Sequence, residues 1–387
     1  MLAYHFTEMP YPFVPPEVER EYSSSRIVVP NEYCDPYKAA DLYNRYLDEY
    51  MFADDQGLEI MLNEHHQTLT CLDSVVPLSA AILARQTTKA RLAIIGTPIV
   101  HRDNPVRVAE EIAMLDCISR GRIISGFVRG VGSEVHPANT NPVLQRERME
   151  EAHDLIVKAW TEREPFNWEG RFWHYRYVNV WPRVYQQPHP PIWVTGSHPE
   201  SAEWVADHQY TFATFLLPYE QVQSLVETYT KRSLQKGFPE PGADRFAYLA
   251  LCFTGETEAE AEEGGRQLLW YLQRERHPYF FNPPGYTPYR EMARQLRAGS
   301  GRPYADSYES LREKGILLCG TPETMIERIT QLHERCRIGH LLMMNQAGVM
   351  PAESVRKSVS LFAKEVYPAI RHLGEGMVTP ATKQAGG

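Results

Sequence analysis

Three titratable residues in a row, Glu64, His65 and His66, follow the apolar segment 58–62. Histidine is the side chain best suited to move protons near neutral pH, so we expect a catalytic site in this cluster, with Glu64 orienting a neighbouring side chain. Successive residues of an extended chain point to opposite sides. One histidine should therefore reach a pocket while the other packs on the side of Glu64. The alternative is a network in which the three residues only bond one another. A zinc site is disfavoured because the i, i+4 spacing of H-E-x-x-H is missing.

A second candidate site would bind an anion. Arg129 ends an apolar segment and is followed by glycine, and a guanidinium group suits phosphate. Further along the chain, Gly196 and Ser197 lead into a predicted helix over 199–207. The backbone N–H groups of its first turn and the hydroxyl of Ser201 would form a phosphate cradle. Ser197 as a simple helix N-cap is the alternative interpretation.

Gly96 and Thr97 lie near the end of a third apolar segment. Because glycine has no side chain, a flat ligand can approach the backbone closely at such a position. Each of these candidate sites thus lies at the end of an apolar segment. The fold has to bring those ends together.

Short apolar runs alternate with stretches of helical periodicity along the chain, which predicts parallel strands buried on both faces and covered by helices. The predicted strands are 2–6, 58–62, 91–100, 122–130, 192–196, 210–215, 246–254 and 339–346. Eight such units, with no glycine-rich phosphate fingerprint after the first strand, favour a closed α/β (β/α)8 TIM barrel over an open doubly wound sheet. Chemistry in this barrel lies on the loops after the carboxyl ends of the strands, where the candidate residues fall.

Residues 1–373 are predicted to form one barrel domain, and 374–387 a flexible tail. Aromatic alternation predicts an inserted β-hairpin within about 165–191. A stretch rich in Pro, Tyr and Gly predicts an irregular insertion over about 277–305, near the barrel mouth. Their aromatic residues favour a largely apolar or aromatic organic substrate.

The composition excludes some classes of protein. The formal net charge of −9 disfavours nucleic-acid binding, and no apolar run is long enough to span a bilayer. The N-terminal residues do not resemble a secretory signal. Six cysteines without a C-x-x-C pair disfavour both a zinc site and a disulfide framework, so we expect reduced thiols and a cytoplasmic protein.

The sequence resembles the luciferase-like flavin monooxygenase family, which includes bacterial luciferase and alkanesulfonate monooxygenase. The resemblance extends over nearly the whole chain and is carried by "NEHH" (63–66), "NPVRVAEEIAMLDCISRGRIISGFVRG" (104–130), "RERMEEAHDLIVKAW" (146–160) and "PPIWVTGSHPESAEWVAD" (190–207). It implies a barrel enzyme that uses reduced FMN and dioxygen, with electrons from a separate NAD(P)H flavin reductase. It also implies a homodimer.

The resemblance assigns roles to individual residues. His65 matches the histidine that lies beside the flavin and assists proton transfer, and Arg129 matches the arginine that holds the FMN phosphate. The phosphate-binding turn falls on Gly196, Ser197, His198 and Ser201, and the segment behind the flavin ring on Gly96 and Thr97. The luciferase cysteine beside the flavin falls on Val128, so light emission is not expected.

Three alternatives stay open at the level of sequence. One is a deazaflavin-dependent oxidoreductase that transfers hydride on the same barrel. Another is a flavin-binding protein without catalytic activity. The third is a metal-dependent hydrolase barrel. The intact Glu-His-His motif and the phosphate turn favour the FMN enzyme.

Overall fold

The computed structural model describes residues 1–22, 24–130, 132–274 and 307–374 of the 387-residue chain. The predicted irregular insertion over 277–305 and the tail from 375 onward lie outside the described residues. No helix in the described part of the chain is both long enough and apolar enough to cross a membrane.

Eight parallel strands close into a barrel, which confirms the predicted fold. In spatial order they are β1 (Leu2–Thr7), β2 (Glu59–Leu62), β3 (Leu92–Pro98), β4 (Ile123–Val128), β7 (Ile192–Thr195), β8 (Thr211–Phe215), β9 (Phe246–Thr254) and β11 (His340–Gln346). β11 pairs with β1, and β9 pairs with both β8 and β11, so the eight strands form a closed ring. All eight predicted strands are present in chain order, and the open-sheet alternative is wrong.

A further parallel strand, β10 (Leu317–Gly320), was not expected. It pairs with Leu251–Thr254 of β9, just beyond Leu249, where the ladder between β9 and β8 ends. β9 is thus longer than its neighbour, and β10 takes up the hydrogen-bonding groups that β8 leaves unpaired. Its apolar run is only four residues long.

Helices follow the barrel strands and cover the outside of the sheet. They are α1 (Pro16–Glu21), α2 (Pro36–Asp55), α3 (Val76–Gln86), α4 (Pro105–Ser119), α5 (Gly132–Ala138), α6 (Gln145–Thr161), α7 (Pro199–Asp207), α8 (Tyr219–Gln235), α9 (Glu258–Arg274), α10 (Tyr308–Glu313), α11 (Pro322–Cys336), α12 (Ala352–Leu361) and α13 (Tyr367–Ile370). Side-chain caps start several of them; Asn104, for example, accepts the Arg107 N–H at the start of α4. The short helices α1, α5 and α10 were not predicted.

The predicted hairpin consists of β5 (Phe166–Glu169) and β6 (His174–Val178). The Glu151 carboxylate of α6 anchors it by accepting the backbone N–H groups of Arg171, Phe172 and Trp173. The indole of Trp173 also donates to the Asp103 carbonyl just before α4. The hairpin is therefore fixed to the outside of the barrel at α4 and α6.

An aromatic cluster fills the amino-terminal end of the barrel. The Tyr4 and Trp193 rings, from strands on opposite sides, lie 5.6 Å apart, and Trp193 lies 4.6 Å from His340. All three residues are buried. The packed end leaves the carboxyl ends of the strands as the place for a ligand site.

Candidate active site at the carboxyl ends of the strands

The two histidines after β2 face different partners, as the alternation predicts. His65 Nδ1 lies 2.8 Å from Glu134 Oε1, whereas His66 Nε2 lies 2.9 Å from Glu64 Oε1. Glu64 thus orients His66, not His65. The network alternative holds for Glu64 and His66 but not for His65.

Glu64 is buried and satisfied by several donors. Arg102 Nη2 donates to both carboxylate oxygens, at 2.7 and 2.8 Å, and the Val76 N–H donates to Oε2. Val75 supplies no capping side chain to α3, so the carboxylate of Glu64 serves as the cap at this positive helix end. The hydrogen bond to Glu64, which outweighs burial, raises the pKa of His66.

Two carboxylates flank His65, and sequence reasoning missed both. Glu134 lies on α5, and Glu8 follows β1, with Oε2 3.7 Å from His65 Nε2. Glu8 in turn accepts hydrogen bonds from Asn63 Nδ2 at 2.9 Å and from the Tyr271 hydroxyl at 3.0 Å. Glu8 carried a usable signal, because it is the first residue past a barrel strand. Glu134 carried none, since α5 was not predicted.

Burial and neighbouring charges shift the pKa values of several groups in this region. Burial raises the pKa of Glu134, but the hydrogen bond from His65 and the charges of His65, Arg26 and His66 bring it below its usual value. Burial lowers the pKa of His101 to about 4. Burial also raises the pKa of Asp73 to about 7, although the Ser79 hydroxyl donates to it.

The predicted anion site forms a cleft between β4, α6, β7 and α7. Its lining includes Arg129, Ser201 and also Arg146, which sequence reasoning missed. Arg146 is in the first turn of α6, whose helical pattern gave no reason to single it out. The two carboxylates of Glu150 and Glu200 line the same cleft, so a bound anion would compete with them for the guanidinium groups.

Gly196 permits the close approach of α7 to the end of β7. A Cβ atom at this position would lie 2.6 Å from Ser201 Cβ and 2.9 Å from the Phe212 ring. Ser197 is not the N-cap of α7; His198 holds that position, and its carbonyl accepts the Ser201 N–H at 3.0 Å. The N-cap interpretation of Ser197 is therefore wrong, and Ser197 lies in the turn beside the cleft.

Gly96 has a packing role in the structure. A Cβ atom there would lie 1.9 Å from Val128 Cγ1, and the ladder between β3 and β4 shifts register between Ile94 and Thr97. The space beside Gly96 is thus filled by Val128. Contact of Gly96 and Thr97 with a flat ligand stays a prediction.

One group of potential metal ligands in the described part of the chain consists of His153, Asp154 and His208, with ligand atoms within 4.8 Å of one another. His153 already bonds Asp154 and the Tyr210 hydroxyl, and His208 bonds the Trp204 carbonyl. The group lies on α6 and at the end of α7.

Comparison with known proteins identifies the family. The luciferase-like monooxygenase family matches residues 31–336. The chain is 30% identical over 233 residues to the oxygenase component of flavin-dependent trigonelline monooxygenase from Acinetobacter baylyi. The match covers 59% of this chain and 63% of that protein, so this chain spans less than two thirds of that relative. It is 25% identical over 356 residues to 2,5-diketocamphane 1,2-monooxygenase 1 from Pseudomonas putida, covering 84% and 91%.

Solved structures share the fold. Monooxygenase RslO1 from Streptomyces bottropensis superposes with a TM-score of 0.73 at 22% identity, covering 95% of this chain and 99% of that one. The oxygenating constituent of 3,6-diketocamphane monooxygenase from Pseudomonas putida, in complex with FMN, gives 0.70 at 18% identity, covering 95% and 98%. An F420-dependent secondary alcohol dehydrogenase gives 0.67 at 17% identity, covering 85% and 95%. The chain belongs to the luciferase-like monooxygenase family and is a flavin-dependent monooxygenase.

Proposed function

We propose that this protein is the oxygenase of a two-component system that uses reduced FMN and dioxygen to oxygenate a small, largely apolar or aromatic organic substrate. A separate NAD(P)H flavin reductase would deliver the reduced flavin. The trigonelline relative is the oxygenase component of its enzyme, which supports the two-component arrangement. The apolar substrate rests on the aromatic residues of the hairpin and of the insertion over 277–305.

The observation that carries the proposal is the cleft at the end of β4 and β7. Arg129 and Arg146 supply two guanidinium groups, Ser201 supplies a hydroxyl, and the close approach at Gly196 brings in the start of α7. Guanidinium groups and a helix N-terminus are donors that suit a phosphate monoester. These residues would hold the phosphate of FMN, with Ser197 and His198 in the adjoining turn.

His65 is the residue that we assign to proton transfer. Reduced flavin supplies the electrons that activate dioxygen. His65 would hold or return a proton at Nε2, because Nδ1 is already bonded to Glu134. Glu64 would act indirectly, by fixing His66 and Arg102 beside it. Gly96 and Thr97 would back the flavin ring.

A homodimer fits the surface beside β2 and β3. Val75, Leu78 and Ile82 form one exposed apolar face of α3, and Met114 is exposed on the adjacent α4. Contiguous exposed apolar patches mark interaction sites.

All six cysteines are free thiols, which supports a cytoplasmic location. We also propose that residues 1–373 form a single domain.

Oxygen consumption is the test of this function. The protein would be supplied with NADH, FMN and a general flavin reductase, and screened with ketones, aldehydes and aromatic heterocycles. A substrate should appear that is oxygenated in proportion to NADH, and His65→Ala should lose that product while still folding. Product formation only with a reduced deazaflavin, and without oxygen uptake, would instead support the hydride-transfer alternative. Flavin binding without product from any substrate would support a non-catalytic protein.

A further inference from the structure

We propose that Glu134 is the positioning residue of His65, and that it holds the imidazole as the Nδ1–H tautomer with Nε2 left for proton exchange. The tautomer of His65 depends only on the folded chain and not on the proposed function. Its consequence for catalysis rests on the proposed function.

Glu134 and His65 are within hydrogen-bonding distance of each other. Glu134 Oε1 lies 2.8 Å from His65 Nδ1, a normal distance for a hydrogen bond to a carboxylate. Glu134 is buried, and its second oxygen, Oε2, has no hydrogen-bond partner in the described part of the chain. The bond to His65 therefore satisfies only Oε1 of this carboxylate, and it restricts rotation of the ring.

The ionised form of Glu134 determines which nitrogen of His65 carries the hydrogen. An ionised carboxylate only accepts hydrogen bonds, so the nitrogen that faces it must carry the hydrogen. Although burial opposes ionisation of Glu134, the pKa of this carboxyl lies below its usual value because of the bond from His65 and the nearby charges of His65, Arg26 and His66. Nδ1 of His65 is accordingly the protonated nitrogen of the neutral ring.

The other nitrogen of the ring, Nε2, has a weaker contact. Nε2 lies 3.7 Å from Glu8 Oε2, beyond hydrogen-bonding distance, and the two oxygens of Glu8 already accept from Asn63 and Tyr271. The charged and titratable groups around His65 and its partners come from several elements. They include Glu8 after β1, Arg26 in the N-terminal segment, Glu64 and His66 after β2, His101 and Arg102 after β3, Glu134 on α5 and Tyr271 on α9.

The tautomer of His65 is measurable directly in the ligand-free full chain by ¹⁵N NMR of the imidazole nitrogens. His65→Gln would assign the signal among the 14 histidines. At alkaline pH, where an imidazole is neutral, wild-type His65 should be protonated on Nδ1. Glu134→Ala and Glu134→Gln should raise the Nε2–H population. A wild-type ring protonated on Nε2, or a tautomer that neither variant changes, would overturn the proposal.

Activity separates the positioning role from a merely structural one. Glu134→Gln is close in shape, so it should bind reduced FMN within about threefold of wild type yet form at least about tenfold less product per reduced flavin, as expected for impaired proton transfer. Glu134→Asp should recover part of that yield. If wild type itself forms no product while the tautomer changes as expected, the proposed function fails and the positioning role stands.

Asp154→Asn is the matched control for Glu134→Gln. Its carboxylate lies 2.8 Å from His153 Nδ1, the same distance as in the Glu134 pair, but on the outside of α6. This variant should leave product yield unchanged. An equal loss of yield in Asp154→Asn would show that removing any carboxylate bonded to a histidine impairs the protein, and would overturn the specific role of Glu134.

Discussion

Glu134 packs against Gly130, the residue that follows Arg129. A Cβ atom on Gly130 would lie 3.3 Å from Glu134 Cβ and 2.8 Å from His101 Nε2. Gly130 also has a φ of +77°, a backbone conformation that residues other than glycine rarely adopt. The segment after β4 therefore connects the arginine of the anion cleft to the carboxylate that holds His65.

Gly130→Ala should disturb both parts of the site. The left-handed backbone and the contact with His101 together should lower the free energy of unfolding by roughly 2–4 kcal/mol. Displacement of Glu134 should also reduce product yield. Denaturant unfolding and product yield per reduced flavin would measure the two effects.

Gly57→Ala is the control for backbone strain. Gly57 has the same φ of +77° but no atom within 4 Å of an added Cβ, at the end of α2. It should lose about 1 kcal/mol of stability from strain alone and keep full product yield. Equal losses in the two variants would show that the packing of Gly130 against His101 and Glu134 has no consequence.

Arg146→Ala should weaken the binding of reduced FMN. A hydrogen bond to a charged group contributes about 1.5–3 kcal/mol, so we expect roughly a 10- to 100-fold rise in Kd. Anaerobic fluorescence titration would measure it. Arg163→Ala removes an exposed arginine just past the end of α6 and should bind like wild type. Unchanged affinity in Arg146→Ala would remove this residue from the phosphate site.

Asp73 should make stability depend on pH. Its pKa is about 7 in the folded protein and near 3.8 in the unfolded chain, so the folded state retains a proton that the unfolded state releases. The free energy of unfolding should therefore fall as pH rises from about 4 to about 7, by up to roughly 4 kcal/mol from this group.

Asp73→Asn removes that titration and keeps an oxygen for the Ser79 hydroxyl. The variant should gain stability relative to wild type as pH rises from 5 to 8, measured by urea unfolding at each pH. Asp41→Asn, on the exposed face of α2, should follow the wild-type profile. A stability difference for Asp73→Asn that is the same at both pH values would be inconsistent with the raised pKa.

Leu78→Lys should dissociate the proposed homodimer. Leu78 is 65% exposed at the centre of the apolar face of α3, and a charge there would have to be buried in the interface. Light scattering after gel filtration would give the mass. Leu234→Lys, an exposed leucine on α8, should remain dimeric. Wild type eluting as a monomer, or Leu78→Lys as a dimer, would exclude this interface.

The fold was predictable because every barrel strand is an apolar run set apart by turns, and such runs have few other structures open to them. β10 was missed because four apolar residues after a short helix do not stand out from a loop. The opposite orientations of His65 and His66 followed from alternation. Glu134, which bonds His65, and Arg102, which bonds Glu64, were not predicted, because tertiary contacts between separate loops leave no local pattern in the sequence.

Some residues of the anion cleft were likewise predictable from the sequence, and others were not. Arg129 was predicted at the end of a strand and Ser201 in the first turn of the helix after the next barrel strand, and the structure places both in one cleft. Arg146 was not, because an arginine in the first turn of a polar helix is usually a solvated surface residue. Its place in the cleft depends on how α6 lies against α7, which helical periodicity does not specify.

The most direct test of the account is the affinity of the ligand-free protein for reduced FMN compared with reduced riboflavin, which lacks the phosphate. Wild type should bind reduced FMN at least about 30-fold more tightly, as expected for two charge-assisted contacts, and Arg129→Ala should lose most of that preference. Equal affinity of wild type for the two flavins, or no affinity for either, would contradict the assignment of the cleft and the FMN-dependent function built on it.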